Sequence, residues 1–228
     1  MGSLAARAHR DVNLGEFQTA GTPIDLGPLE LQCPEERQYI LRMAIRAKGG
    51  LIRLPSELEW VRPMLDVAQL HQALLDNDHP FVYVTVRHGL VSSETDDAWH
   101  VDGFSTKVAH HPEQNYIWTS RDGTEYADLS VKFPEDFDPL AQNVNDYLSR
   151  YVDDQAIQAC QPQTIYCLDP YMIHRRPQST AGLMRTFVRI SFVPIQINDV
   201  NNTQNSLLPQ QYDHDGVAHR NTLSSYPG

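Results

Sequence analysis

Apolar residues recur along this chain with two different periods, and the change from one to the other divides it. From Pro34 to Lys48, closed by Gly49-Gly50, Tyr39, Ile40, Met43, Ala44 and Ala47 form a stripe at helical spacing. Proline in the first turn, Glu35 and Glu36 early, and Arg42, Arg46 and Lys48 late all match the helix dipole, so the run is expected to be a helix. A second helix is expected from about Met64 to Leu75, with Leu65, Ala68, Leu70 and Leu74 among its apolar positions. The pattern then turns β-branched and aromatic, and Phe81–Val86 reads as a strand. Further strands are expected around His100, at Asn115–Ser120, Tyr126–Phe133, Gln163–Leu168, Tyr171–His174 and Met184–Val193. Arg121-Asp122-Gly123-Thr124 has the Asp-Gly form of a tight hairpin turn leading into the Tyr126 strand. One more helix is expected from Asp138-Pro139 to about Cys160, with Leu140, Val144, Tyr147, Leu148 and Tyr151 on one side. Residues 1 to about 33 show no clear period, and from Asn198 onward the chain is a polar tail or a surface-hugging extension.

Helices first and many short strands after predict a mainly β fold with buttressing helices, an antiparallel double sheet of the jelly-roll type closed around a pocket. A length of 228 residues fits one domain. Within it, 1–80 would be an N-terminal extension with helices, 81–194 the sheet core and 195–228 the tail. The net charge of −11 argues against nucleic acid as a partner, because tracking phosphates calls for a basic face. Cys33, Cys160 and Cys167 lack any paired spacing and read as reduced intracellular thiols. No apolar run reaches membrane-spanning length, and Met1–Asn13 lacks the apolar stretch of a signal peptide. A cytoplasmic, soluble protein without a membrane partner is therefore expected.

The chemistry centres on Trp99-His100-Val101-Asp102-Gly103-Phe104. On an extended strand, residues two apart share a face, which sets an imidazole beside a carboxylate. These are two members of the 2-His-1-carboxylate triad that holds non-heme Fe(II) by one face. The spacing is not specific, since His9-Arg10-Asp11 repeats it in the N-terminal segment. His174, about seventy residues on, supplies the third ligand from another strand. In the strand that follows, Arg185, Phe187, Arg189 and Ser191 share one face and Thr186, Val188, Ile190 and Phe192 the other. Arginines on a largely apolar strand are costly to bury unless each meets an anion, and a guanidinium fork matches a carboxylate. His88 reads as a structural or rim residue, His110-His111-Pro112 as a polar loop, and Arg175-Arg176 as exposed ion-pair partners, though one could line the pocket mouth.

The order His100-x-Asp102, His174, then an arginine ten to fifteen residues later, spread over about 81–193, resembles the Fe(II)/2-oxoglutarate-dependent dioxygenases. That resemblance implies a double-stranded β-helix, a cupin-like jelly roll. It implies Fe(II) on His100, Asp102 and His174, and 2-oxoglutarate with O2 as co-substrates. Arg185 is preferred for the far carboxylate of 2-oxoglutarate; Arg189 either shares that task, with Ser191, or faces the substrate. Tyr116 and Trp118 are further substrate-contact candidates. Asp102 occupies the position that halogenating relatives leave open, so hydroxylation or desaturation is expected. The substrate would be a small metabolite bearing a carboxylate, such as an amino acid or a secondary-metabolite precursor, placing the protein in biosynthesis. Two other readings stay open: a cupin-like metalloenzyme that does not use 2-oxoglutarate, and a non-catalytic jelly-roll binding module.

Overall fold

The computed structural model describes residues 21–209 apart from 49, 76–78, 92–97, 104–112, 130, 132, 135, 138–141, 178–181, 198 and 200. His9, Phe104, the His110-His111-Pro112 stretch and Leu140 lie outside the described residues, as does the chain beyond 209. The elements are β1 (Ile24–Pro28), β2 (Gln38–Arg46), a 3-10 turn (Ser56–Val61), α1 (Arg62–Leu75), β3 (Phe81–Leu90), β4 (Gln114–Thr119), β5 (Glu125–Ala127), α2 (Val144–Ser149), β6 (Ile157–Ala159), β7 (Thr164–Leu168), β8 (His174–Arg175) and β9 (Met184–Val193). A six-stranded sheet runs β1-β7-β4-β9-β3-β2 and a three-stranded sheet runs β6-β5-β8. Every strand pairing is antiparallel. The protein is thus mainly β, with antiparallel sheets and two α-helices among the described residues.

One face of the large sheet is the main apolar core. Ile40, Val84, Tyr116, Ile190 and Phe192 pack there against Leu58, Val61, Leu65 and Ala68. Those last four, with buried Gln72, recur at intervals of three and four, so the 3-10 turn and α1 present one continuous stripe to the sheet. The opposite face meets the small sheet: Ile117, Tyr166 and Leu168 of the large sheet cluster with Met172, and Tyr126 and Phe187 pack against them. The outer side of the small sheet is covered by a third cluster that includes Trp99, Ala127, Phe133, Val144, Leu148 and Ile173.

The expected helix at 34–48 is instead strand β2, and its bulges explain the misreading. Ile40 pairs with Val86 and Met43 with Val84, so three residues advance on β2 for two on β3. A second irregularity falls between Ala44 and Arg46. Each extra residue converts period two into a spacing of three, which imitates a helix. The first bulge holds Arg42 at a φ of 39°, a region a non-glycine residue seldom occupies.

The expected helix over 138–160 shortens to α2. Asn143 caps its start by accepting from the backbone N–H groups of Asn145 and Asp146. Past its end, the Asp153 carboxylate accepts from the N–H groups of Gln155 and Ala156, a local turn that stops the helix before β6. The Asp122-Gly123 turn forms, with Asp122 at a φ of 42°, but it does not close a hairpin. It passes the chain out of the large sheet into β5, which pairs with β6 and β8. A side chain at Gly123 would collide with the Cys160 carbonyl.

Strand β1 falls in the stretch that shows no period. At the other end, Thr203 and Asn205 tie the chain back to the sheet edge. Thr203 takes the Leu41 N–H on its Oγ1 (2.9 Å) and gives its own N–H to the Leu41 carbonyl (2.8 Å), and Asn205 Nδ2 donates to the carbonyls of Ala44 and Arg53. The polar tail pins the bulged edge strand.

Candidate metal and anion site

His100 and His174 meet through a two-way backbone bridge, His100 N to His174 O at 3.0 Å and His174 N to His100 O at 2.9 Å. The expected strand around His100 reduces to this single bridge, and Asp102-Gly103 already belong to a turn. The turn is tight for a physical reason. Gly103 donates its N–H to the Pro170 carbonyl at 2.7 Å, and a Cβ there would overlap the Tyr171 ring. One donor atom from each of His100, Asp102 and His174 lies within 4.8 Å of the others.

Both imidazoles are oriented from behind. Nδ1 of His100 lies 2.9 Å from the Ala98 carbonyl, and Nδ1 of His174 lies 2.9 Å from the Met172 carbonyl. A carbonyl only accepts, so each Nδ1 carries a hydrogen, and Nε2 is the atom each ring can offer to a metal. His174 Nε2 stands 3.6 Å from Asp102 Oδ2. Burial, reinforced by the neighbouring His100, pushes the His174 pKa down to about 4, so the ring is neutral and able to coordinate at neutral pH.

Asp102 is the electrostatic hub. Burial by itself would raise its pKa, but Arg189, His174, His100 and Arg42 outweigh burial and hold the carboxyl far below the usual carboxylate range. Arg189 Nη1 donates to both carboxylate oxygens at 3.3 Å. Asn115 Nδ2 donates to Oδ2 at 2.7 Å and also to Glu113 Oε1 at 3.1 Å. Arg42 Nη2 reaches the same Glu113 oxygen at 3.0 Å, which is where the β2 bulge sends its side chain. Ser191 Oγ donates to Asn115 Oδ1. Two imidazoles and one ionised carboxylate form a donor set suited to a divalent transition metal.

A cleft of about 930 Å³, counting its open mouth, lies over this group. Its described wall includes His100, His174, Thr85, Phe187 and five arginines, Arg87, Arg175, Arg176, Arg185 and Arg189. On β9 the alternation holds, with Arg185, Phe187 and Arg189 on the cleft side and Val188, Ile190 and Phe192 in the core. Arg185 gives its Nε hydrogen to the carbonyls of Arg121 and Asp122 at 3.2 Å each, so the Asp-Gly turn anchors it.

Not every expected site residue reaches the cleft. Tyr116 and Trp118 point to the opposite face, into the apolar core, where the Tyr116 hydroxyl meets His71 and Gln72 and Trp118 Nε1 donates to the Leu29 carbonyl. Their odd-numbered neighbours on β4 take the site side, as strand alternation requires. Ser191 is buried behind Asp102 on Asn115 rather than on the wall. Arg175 is not an exposed ion-pair partner. It pairs with Glu125 at 2.7 Å in a largely buried setting, lies 4.3 Å over the Trp99 ring, and lines the cleft with Arg176. His88 sits at the rim with its Nδ1 2.8 Å from Thr186 Oγ1. Arg87, Asn115, Glu113 and Arg42 were not anticipated. Extending the β3 alternation one residue past Val86 would have set Arg87 on the face of Thr85.

No protein-family model matches the chain, and no curated protein matches its sequence. Among solved structures, the chain overlaps EvdO2 from Micromonospora carbonacea var. aurantiaca, solved in complex with 2-oxoglutarate, at a TM-score of 0.37 and 14% identity over 70% of this chain and 80% of that one. An overlap of that extent carries no weight for the chemistry, which rests on the residues above. No helix among the described residues is long and apolar enough to cross a membrane.

Proposed function

We propose that the chain is an Fe(II)- and 2-oxoglutarate-dependent oxygenase that hydroxylates or desaturates a small metabolite, its two antiparallel sheets forming a double-stranded β-helix. The observation that carries this reading is the His100, Asp102 and His174 group, with both Nδ1 hydrogens committed to backbone carbonyls, beneath an arginine-lined cleft. His100 Nε2, His174 Nε2 and an Asp102 oxygen would hold the iron. When bound, iron and 2-oxoglutarate supply the oxidation of a substrate C–H bond by O2. Arg185 receives the far carboxylate of 2-oxoglutarate, because its guanidinium keeps one buried nitrogen, Nη2, without a hydrogen-bond partner among the described residues. Arg189 serves Asp102 instead, holding the carboxylate in place from the second rank. The chain's own work is positional: it fixes the ligands, shields the site and orients the substrate.

Anaerobic addition of Fe(II) and then 2-oxoglutarate to the full chain tests this. A visible metal-to-ligand charge-transfer band and succinate formation on admitting O2 are expected. Stoichiometric iron without the band would remove 2-oxoglutarate from the account. Failure to bind iron would remove the oxygenase altogether.

A further inference from the structure

In an unbroken strand, residue 42 would share a face with Ile40, which belongs to the apolar core. The bulge prevents this. Ile40 pairs with Val86 and Met43 with Val84, so Leu41 and Arg42 stand together opposite Thr85. Side chains answer the backbone groups that the ladder leaves there. Thr203 Oγ1 accepts the Leu41 N–H at 2.9 Å, the Thr203 N–H returns to the Leu41 carbonyl at 2.8 Å, and Thr85 Oγ1 accepts the Arg42 N–H at 3.1 Å. Arg42 is thereby held at its positive φ of 39°. Such a conformation is unfavourable for a side chain with a Cβ and persists where surrounding contacts over-determine it. What it gains is a position for the guanidinium.

Arg42 Nη2 meets Glu113 Oε1 at 3.0 Å, with the arginine side chain 26% exposed and the glutamate only 2%. A carboxylate that deeply buried is stable only beside a cation and hydrogen-bond donors. The same Oε1 accepts from Asn115 Nδ2 at 3.1 Å, and that nitrogen also donates to Asp102 Oδ2 at 2.7 Å. Ser191 Oγ donates to Asn115 Oδ1. The amide thus commits both N–H groups to carboxylates and its oxygen to a hydroxyl, which fixes its plane and its sense. Charge alternates along the row from Arg42 to Glu113, and from Asp102 to Arg189, with the neutral amide joining the two acids. Neither Arg42 nor Glu113 is among the described residues of the cleft wall, so both stand behind Asp102 rather than beside a ligand.

We infer that Arg42 and Glu113 are positioning residues of the metal site, which act through Asn115 to hold the Asp102 carboxylate in its ligating orientation. The β2 bulge is then part of the site, although it lies on an edge strand and touches no ligand. This deepens the proposed function and rests on it for the role of Asp102 as a metal ligand. That Arg42 sets the orientation of Asp102 does not itself require a metal.

The probe is Co(II), titrated into the metal-free full chain while its visible ligand-field band is followed. Arg42→Met and Glu113→Gln should each weaken Co(II) binding by about ten-fold, and Arg42→Lys, which keeps the charge, should recover part of the loss. Glu113→Gln is nearly isosteric and carries the test alone if Arg42→Met does not fold. A double-mutant cycle identifies the route: once Asn115→Leu has cut the row, adding Arg42→Met should weaken binding by less than about two-fold more. Unchanged Co(II) affinity in Arg42→Met and Glu113→Gln, with only their melting temperatures lowered, would reduce both residues to a structural role and overturn the proposal. A full ten-fold loss on top of Asn115→Leu would overturn it too, because Arg42 would then act by another path. Should the unaltered chain bind no Co(II), the metal reading fails, and crystal structures of the metal-free chain and of Arg42→Met decide the rest. An Asp102 carboxylate turned away from Asn115 in the variant supports the positioning role, and an unmoved one overturns it.

Discussion

Strand β9 has two faces that obey different physics. Val188, Ile190 and Phe192 join the apolar core beneath α1, where burial stabilises the fold in proportion to the area hidden from water. Arg185, Arg189 and Ser191, on the other face, are held by carbonyls, by Asp102 and by Asn115. A guanidinium taken out of water without partners costs several kcal/mol, so that face is stable only through specific contacts. Thr186 marks the boundary: it lies on the core side by alternation, yet its hydroxyl meets His88 at the cleft rim. The contrast implies that stability and chemistry were assigned to opposite sides of one sheet, and that changes on the two sides should be separable.

The largest effects should come from the site side. His100→Ala, Asp102→Ala or His174→Ala should abolish turnover and stoichiometric iron binding. Of the three, Asp102→Ala should also lower the melting temperature most, because it takes the carboxylate from the partly buried Arg189. Iron content and thermal melts on the same preparations check both parts. Full activity in His174→Ala would sink the assignment.

Next in size is a change on the core side. Phe192→Ala should cost about 3–5 kcal/mol of folding stability through lost burial and the cavity left behind. Iron affinity per folded molecule should stay within about two-fold, since the two faces are separated by the sheet. Denaturant melts beside iron titrations decide it, and a parallel collapse of iron binding would break the separation.

How far these two faces could be read in advance differs in the same way. Where alternation is uninterrupted, as on β9 and the first half of β3, the core and cleft positions follow from the order of residues alone. His100, Asp102 and His174 could be named as a group because their chemistry is rare enough that sequence order carries information. Where the backbone departs from period two, the reading fails: the bulges of β2 imitated a helix and hid Arg42. Tyr116 and Trp118, expected to contact substrate, lie on the core face because the alternation of β4 sets them opposite Asn115 and Ile117. The contacts of Asn115 with Asp102 and of Glu113 with Arg42 join distant segments, which local pattern does not encode.

A smaller effect should separate the two arginines of β9. Arg185→Gln should weaken 2-oxoglutarate by a factor of tens to thousands, about 2–5 kcal/mol, with iron loading little changed. Arg189→Gln should instead disturb iron loading, because its guanidinium holds both oxygens of Asp102. Varying 2-oxoglutarate and iron in turn for each variant reads the difference. If Arg189→Gln loses 2-oxoglutarate while Arg185→Gln keeps it, the two roles exchange within the same cleft.

The smallest effect, and the finest test of the contrast, lies at Asn115. Its neighbour Tyr116 faces the core, while its own side chain spans Asp102, Glu113 and Ser191 on the site side. Asn115→Leu keeps the branched shape, though it is bulkier, and removes every side-chain polar contact. If the network orients the metal ligand, iron affinity should fall about 10- to 100-fold, or about 1.4–2.7 kcal/mol. Affinity of the iron-loaded protein for 2-oxoglutarate should hold, because Arg185 is anchored on the Arg121 and Asp122 carbonyls and does not touch Asn115. A merely structural asparagine would behave otherwise: the melt would shift and the iron affinity would not. Asn115→Asp sharpens the distinction, since it keeps the shape but sets a further carboxylate against Asp102 and Glu113. Repulsion there should lower stability and raise the share of protonated carboxyl in the cluster, so iron binding should become more dependent on pH than in Asn115→Leu.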